Sequence, residues 1–178
     1  MSGPPDGAPE IMWQGKFIVT RKWGTWDYVG RARSIGAAVI LAIVDGDVLL
    51  VEQYRVPLGG PCLELPAGLV GDITAGEDLA EAAARELEEE TGYRADRIEI
   101  IGKFASSPGM VSETFTLVRA LGLTKVGEGG GEEGENITVH RVPLAQIGDF
   151  VAARRAEGMF MDVKLLTLLG GALLAAAG

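Results

Sequence analysis

One cysteine, Cys62, stands in the whole chain of 178 residues, so no disulfide can close within it and a reducing, cytoplasmic setting is expected. Its Pro-Cys-Leu-Glu-Leu context offers no catalytic partner, and it reads as a packing residue. Positive charge is short as well: 16 Lys and Arg stand against 25 Asp and Glu, a formal net charge of −9. That balance argues against a nucleic-acid surface. No apolar run is long enough to span a bilayer; the longest, Leu165 to Ala177, is interrupted by Thr167 and two glycines. The N-terminus lacks a basic segment followed by an apolar one, and no internal repeat is evident. What remains is 47% hydrophobic residues, enough for one compact domain with a real core.

The stretch from Gly71 to Tyr93 organises the rest. Its second half is rich in Ala, Leu, Glu and Arg, lacks proline, and ends at Gly92, where a helix would stop. At 100° per residue, Leu79, Ala80, Ala83, Ala84 and Leu87 form an apolar arc, while Glu77, Glu81, Arg85 and Glu88 point to solvent. Glu86 and Glu90 break this plan. Four residues apart, they share a face on or beside the apolar arc, where two carboxylates repel each other and resist desolvation unless a cation sits between them. A divalent cation with oxygen ligands, Mg²⁺ first, answers that need. A solvated acidic helix laced by Glu81–Arg85–Glu89 pairs is the alternative reading of the same wheel.

Along the chain, residues 1–10 are Gly/Pro-rich and expected to be a disordered tail. Ile11–Thr20 and Trp26–Arg33 read as two strands joined around Gly24, a hairpin that must dock on something because two strands alone are marginal. Ala37–Val44 and Val48–Tyr54 flank Asp45-Gly46-Asp47, a strong hairpin signal. Cys62–Leu65 is a short strand leading through Pro66-Ala67-Gly68 towards the helix. Further strands are predicted at Ile98–Ala105, Thr114–Leu121 and Ile137–Val142, with the Gly/Glu loop Val126–Asn136 before the last of them. Pro143–Glu157 and Met161–Ala176 have helical character. Strands of hairpin and crossover type with two or three helices predict an α/β fold, an α/β/α sandwich on a mixed β-sheet, with antiparallel strands added at the N-terminus.

Gly71, five residues, Glu77, seven more, then Arg85-Glu86-Leu87-Glu88-Glu89-Glu90-Thr91-Gly92-Tyr93: this spacing resembles the Nudix box without a departure. The resemblance implies a loop–helix–loop that binds Mg²⁺ or Mn²⁺ and hydrolyses a diphosphate joined to another group. Val51-Glu52-Gln53-Tyr54-Arg55, Leu63-Glu64-Leu65-Pro66-Ala67-Gly68, and Pro108, sixteen residues after Gly92, are similar to the ADP-ribose pyrophosphatase branch of that family. Thr25-Trp26-Asp27-Tyr28-Val29 and Asp162-Val163-Lys164 extend the likeness over most of residues 25–170. GDP-mannose pyrophosphatases and other nucleoside-diphosphate-sugar hydrolases share several of these features. A Nudix-fold sensor that binds ADP-ribose without cleaving it is a third reading, disfavoured by the intact set of box carboxylates.

Position by position, the resemblance assigns Glu86, Glu89 and Glu90 to metal binding and catalysis, with the Ala67 carbonyl completing a coordination shell. Arg85 would orient the glutamates, and Glu77 would brace the turn into the helix. Arg55 would contact the diphosphate or terminal ribose through its guanidinium fork. Glu64 would bind substrate, or simply alternate outward on its strand. Arg31, Pro108 and Gly109 join the substrate-binding set. Trp26 is the first candidate for stacking on adenine, ahead of Trp13 and Trp23. The water that attacks phosphorus needs a carboxylate base, which the resemblance puts on a loop after the box; here that is Val126–Asn136, with Glu133 and Glu135 both open. The domain plan is therefore a tail over 1–10, an N-terminal hairpin over 11–35 for dimerisation and substrate closure, and the Nudix domain over 36–178. The implied partners are a small nucleotide-sugar and a second copy of the chain in a homodimer, with no nucleic acid and no membrane.

Overall fold

The structure, a computed structural model, describes residues 3–33, 36–71 and 78–175. Three strands open it: β1 (Glu10–Gln14), β2 (Ile18–Trp23) and β3 (Trp26–Arg31), paired antiparallel in that order as a separate sheet. The sequence predicts only two strands here. The first is broken where the Gly15 amide donates to the Ile18 carbonyl at 2.9 Å and turns the chain back. The third strand relieves the marginal stability of a lone hairpin. This sheet docks on its own chain, the Val29 amide donating to Met110 at 3.0 Å and the Ser112 amide to Val29 at 2.8 Å.

The main sheet begins with β4 (Gly36–Val44) and β5 (Asp47–Arg55). Asp45 and Gly46 between them both adopt left-handed backbone, φ 52° and 86°, the conformation that Asp-Gly hairpins favour. Then follow β6 (Gly60–Glu64), β7 (Ala67–Val70), helix α1 (Leu79–Thr91), and the long pair β8 (Tyr93–Ala105) and β9 (Thr114–Lys125). The chain ends with β10 (Thr138–Pro143), α2 (Ile147–Ala156), the two-residue β11 (Phe160–Met161) and α3 (Leu166–Ala175). Strand β7 is absent from the sequence expectation because four residues after Pro66 carry too little pattern to register. Val126–Asn136 forms no helix or strand, as its composition predicts.

Strand β4 is shared. Along one edge it runs parallel to β9, with β8 beyond. Along the other, residues 36–39 pair with β7, and Ile43 and Val44 pair with β5. Strand β5 in turn carries β10, and β6 followed by β11. The main sheet is thus mixed and divides at β4 into two wings. Alternation along β4 sends Ala38, Ile40 and Ala42 to one face, where they meet Ala83 and Leu87 of α1 and Val118 of β9. Val39 faces the other way, into a core with Leu63, Leu65, Val151 of α2 and Leu165 just before α3. Helices on both faces make the predicted α/β/α sandwich.

Candidate active site

Helix α1 starts where the Asp78 carboxylate accepts from the Ala80 and Glu81 amides at 2.8 and 3.4 Å, satisfying two orphan donors of the first turn. It ends at Gly92, φ 73°, whose amide donates to Glu88. Ala82, Ala83, Leu87 and Glu90 are buried. Of the wheel's two inward glutamates, Glu90 is buried and the Glu86 side chain is 14% exposed. Arg85 departs from the wheel: its side chain is 24% exposed and its Nη1 lies 3.0 Å from Glu86 Oε1 and 2.9 Å from Glu89 Oε2. It lies among the glutamates rather than in solvent. Glu77 lies outside the described residues.

Glu86 and Glu90 open into a cleft of about 370 Å³. The Glu90 Oε2 accepts from the Ala67 amide at 3.0 Å. Burial, reinforced by the negative charges of Glu86 and Glu135, pushes its carboxyl up to about 8 despite that hydrogen bond. Glu86 lies against Gly68, where a Cβ would collide with its carboxylate. A side chain at 68 and the observed Glu86 cannot coexist. Glu89 is not on the cleft wall and is held by Arg85.

The opposite wall carries cations, each facing an acid. Arg55 forks onto Glu64 through Nε–Oε1 at 2.5 Å and Nη2–Oε2 at 2.9 Å. Glu64 is buried, 5% exposed, so it does not alternate outward; its partner across the strand pair draws it in. The Glu64 hydrogen bond is the main cause that raises the Arg55 pKa. Arg31 Nε donates to Glu113 at 2.6 Å, and Lys164 Nζ contacts Asp162 at 2.6 Å. Cys62 lies behind this wall, buried, its thiol pushed up to about 12 chiefly by burial. It is an inert packing residue.

Of the two loop glutamates, Glu135 reaches the cleft wall and Glu133 does not. Glu135 Oε2 accepts from the Glu132 amide at 2.9 Å, and Gln53 Nε2 donates to the Glu135 carbonyl at 3.5 Å. Trp26, Pro108 and Gly109 do not enter the cleft but meet one another, with Trp23 and Tyr28, around a separate hollow of about 200 Å³. Trp13 is not among the residues lining either.

A NUDIX domain matches residues 33–162 of the chain. The chain belongs to the Nudix family. It is 32% identical over 179 residues to the ADP-ribose pyrophosphatase of Saccharomyces cerevisiae, a match covering 96% of this chain and 73% of that protein. It is 37% identical over 125 residues to the methanol dehydrogenase activator of Bacillus methanolicus, covering 69% of this chain and 66% of that protein. The Nudix hydrolase 2 of Caenorhabditis elegans, a putative assignment by its own name, is 38% identical over 128 residues, and the match covers 56% of it. The chain thus spans rather more than half the length of these last two relatives. Among solved structures, an ADP compounds hydrolase superposes with a TM-score of 0.70 at 25% identity, covering 99% of this chain and 97% of that one.

The Nudix helix supplies a donor set that fits a hard divalent ion. The cleft wall carries, among the described residues, five carboxylates (Glu64, Glu86, Glu90, Glu113, Glu135) against three cations (Arg31, Arg55, Lys164), and the carboxylates offer a divalent ion oxygen donors. Among the described residues no three His, Cys, Asp or Glu side chains already stand around a single point. Gln53, Ser106, Glu113, Phe115 and Lys164 line the Nudix cleft without having been assigned roles from sequence. Lys164 lies within Asp162-Val163-Lys164, one of the stretches that carry the family resemblance; Glu113 has no local signal, since its partner Arg31 is 82 residues away.

Proposed function

We propose that the chain is a Mg²⁺-dependent Nudix pyrophosphatase that hydrolyses ADP-ribose, or a related ADP-sugar, to AMP and the sugar phosphate, ribose 5-phosphate in the first case. The observation that carries this reading is the charge of the cleft. Each of the three cations among its described lining residues already faces a carboxylate, Arg31 on Glu113, Arg55 on Glu64 and Lys164 on Asp162. A diphosphate entering it needs positive charge from another source. Glu86 and Glu90 are the residues to hold that source, with Glu89 and the Ala67 carbonyl in support. A divalent ion bound there supplies positive charge to the diphosphate and acidifies water, and Mn²⁺ is the alternative to Mg²⁺.

The protein's own groups do the rest. Arg55, half exposed and fixed in plane by Glu64, presents its remaining N–H groups to phosphate oxygens. Arg85 holds Glu86 and Glu89 in orientation. Glu135 takes a proton from the attacking water as the new P–O bond forms, and the bridging oxygen leaves with the other phosphate. Trp26, with Trp23 and Pro108, offers an apolar shelf for adenine. Strand β3 runs from that hollow at Trp26 to the cleft at Arg31, about 16 Å over five residue steps. One extended substrate can then reach both.

The N-terminal sheet, within residues 11–35, serves in this reading as dimer contact and substrate closure. Ile11, Met12, Trp13 and Phe17 are all more than half exposed there, an apolar surface suited to a second copy of the sheet. No helix among the described residues is long and apolar enough to cross a membrane, and the lone cysteine suits a cytoplasmic enzyme. A panel of ADP-ribose, other ADP-sugars and GDP-mannose, assayed with Mg²⁺ and product analysis, tests the reading. AMP with ribose 5-phosphate from ADP-ribose is the expected result. Preference for GDP-mannose, or tight binding of ADP-ribose without turnover, would replace it.

A further inference from the structure

The Gly/Glu segment after β9 is tied to the end of α1. The Val126 and Gly127 amides donate to the Gly92 carbonyl at 2.8 and 3.1 Å, the Gly130 amide to the Glu90 carbonyl at 2.8 Å, and the Gly131 amide to the Glu89 carbonyl at 3.0 Å. A helix leaves its last carbonyls without partners, and here loop amides supply them. The approach is close. A Cβ at Gly129, φ 72°, would stand 2.5 Å from both the Glu90 carbonyl oxygen and the Thr91 carbonyl carbon, and 2.8 Å from the Gly92 nitrogen. All three are backbone atoms with no rotamer through which to yield. A Cβ at Gly131 would strike the carboxylate of Glu135. Beyond this contact the chain turns, the Ile137 amide donating back to Gly130 at 3.1 Å, and the turn carries Glu135 to the cleft.

We infer that Gly129, with the amides of Gly130 and Gly131, is a splint that fixes Glu135 relative to the carboxylates of Glu86 and Glu90 on α1. These glycines are positioning residues for the reaction. Their composition, which in sequence reads as slack, lets one backbone lie on another. The inference rests on the assignment of Glu135 as the base.

Steady-state kinetics on Gly129→Ala, Gly127→Ala, Glu135→Gln and the Gly129→Ala/Glu135→Gln double variant test it. Gly127→Ala adds the same methyl group where nothing stands nearer than the Gly92 Cα at 3.9 Å. The expected result is a kcat lowered about 10- to 100-fold in Gly129→Ala with KM little changed, full activity in Gly127→Ala, and a double variant no slower than Glu135→Gln alone. Full kcat in Gly129→Ala beside a crippled Glu135→Gln overturns the splint and leaves the base standing. So does equal damage in Gly127→Ala, or multiplicative loss in the double variant. Full kcat in Glu135→Gln overturns the assignment of the base, and the splint with it. If Gly129→Ala does not fold, amide hydrogen exchange on the native enzyme decides. The Gly130 and Gly131 amides are expected to exchange as slowly as the last turn of α1, and unprotected exchange there overturns the inference.

Discussion

The Ala67 amide donates to the Glu90 carboxylate at 3.0 Å, joining the first residue of β7 to the last buried acid of the Nudix helix across 23 positions of sequence. That hydrogen bond favours the ionised carboxylate, while burial and the charges of Glu86 and Glu135 oppose it, and the opposition wins. A carboxyl held near 8 is one that a cation will ionise.

Glu86→Gln and Glu90→Gln should each lower kcat by about 100-fold or more, because each removes a donor from the cation site. Glu88→Gln should stay within about twofold. Glu88 forks onto Arg94 at 2.9 Å on the exposed side of the helix, where a pair contributes little. Equal losses at all three positions would refute the division of the helix into a working and a solvated face.

Stability without metal should fall as pH rises. In the unfolded chain Glu90 titrates near the ordinary carboxylate value of 4.5; in the folded chain it keeps its proton to about 8. Between those values the native state binds the extra proton, so the slope of unfolding free energy against pH is negative. The melting temperature in EDTA should therefore decline from pH 5 to pH 8, and the increment from Mg²⁺ should grow over the same window. Glu90→Gln should flatten both trends, and differential scanning fluorimetry would show it.

Gly68→Ala should cost activity on the order of 10- to 100-fold with the fold intact, since the added methyl occupies the place of the Glu86 carboxylate. Circular dichroism alongside Mg²⁺ titration separates the two effects. Wild-type metal affinity in this variant would mean that Glu86 works from another rotamer.

Arg55→Ala leaves Glu64 buried without its fork and should lower stability by about 2 kcal/mol, less than for a fully enclosed pair because Arg55 is 41% exposed. The Arg55→Ala/Glu64→Leu double variant should recover most of that stability in urea unfolding while substrate KM stays raised. Recovery of KM as well would remove Arg55 from the substrate site.

Deleting residues 1–33 should abolish dimerisation and nucleotide binding together. Light scattering and ADP-ribose titration on both forms check this, and a full-length monomer that binds normally would rule it out.

The strands from Gly36 to Glu64 and the helix from Leu79 to Thr91 were legible because their signals are local: apolar runs around Asp-Gly, a run of Ala, Leu, Glu and Arg without proline, a terminating Gly. Glu86 and Glu90 were legible for the same reason, as two acids out of phase with their own helix. What sequence could not give is pairing at a distance. Glu64 could be placed inward only once Arg55, nine residues away on the neighbouring strand, was seen to fork onto it. Glu133 and Glu135 are indistinguishable among glycines until the chain's return path over α1 separates them. The turn at Gly15 that divides the first strand is likewise a hydrogen bond, to Ile18, with no pattern of its own.

Because β4 sends alternate residues to opposite faces of the sheet, the two walls of the cleft are anchored in two different cores. Glu86 and Glu90 belong to the helix packed on the face with Ala83, Leu87 and Val118; Glu64 and Lys164 stand beside the core on the other face, around Leu63, Val151 and Leu165. Ala67, packed against that second core, ties the two together through its amide on Glu90. A change of packing in one core is therefore passed to the other wall of the cleft through a backbone hydrogen bond.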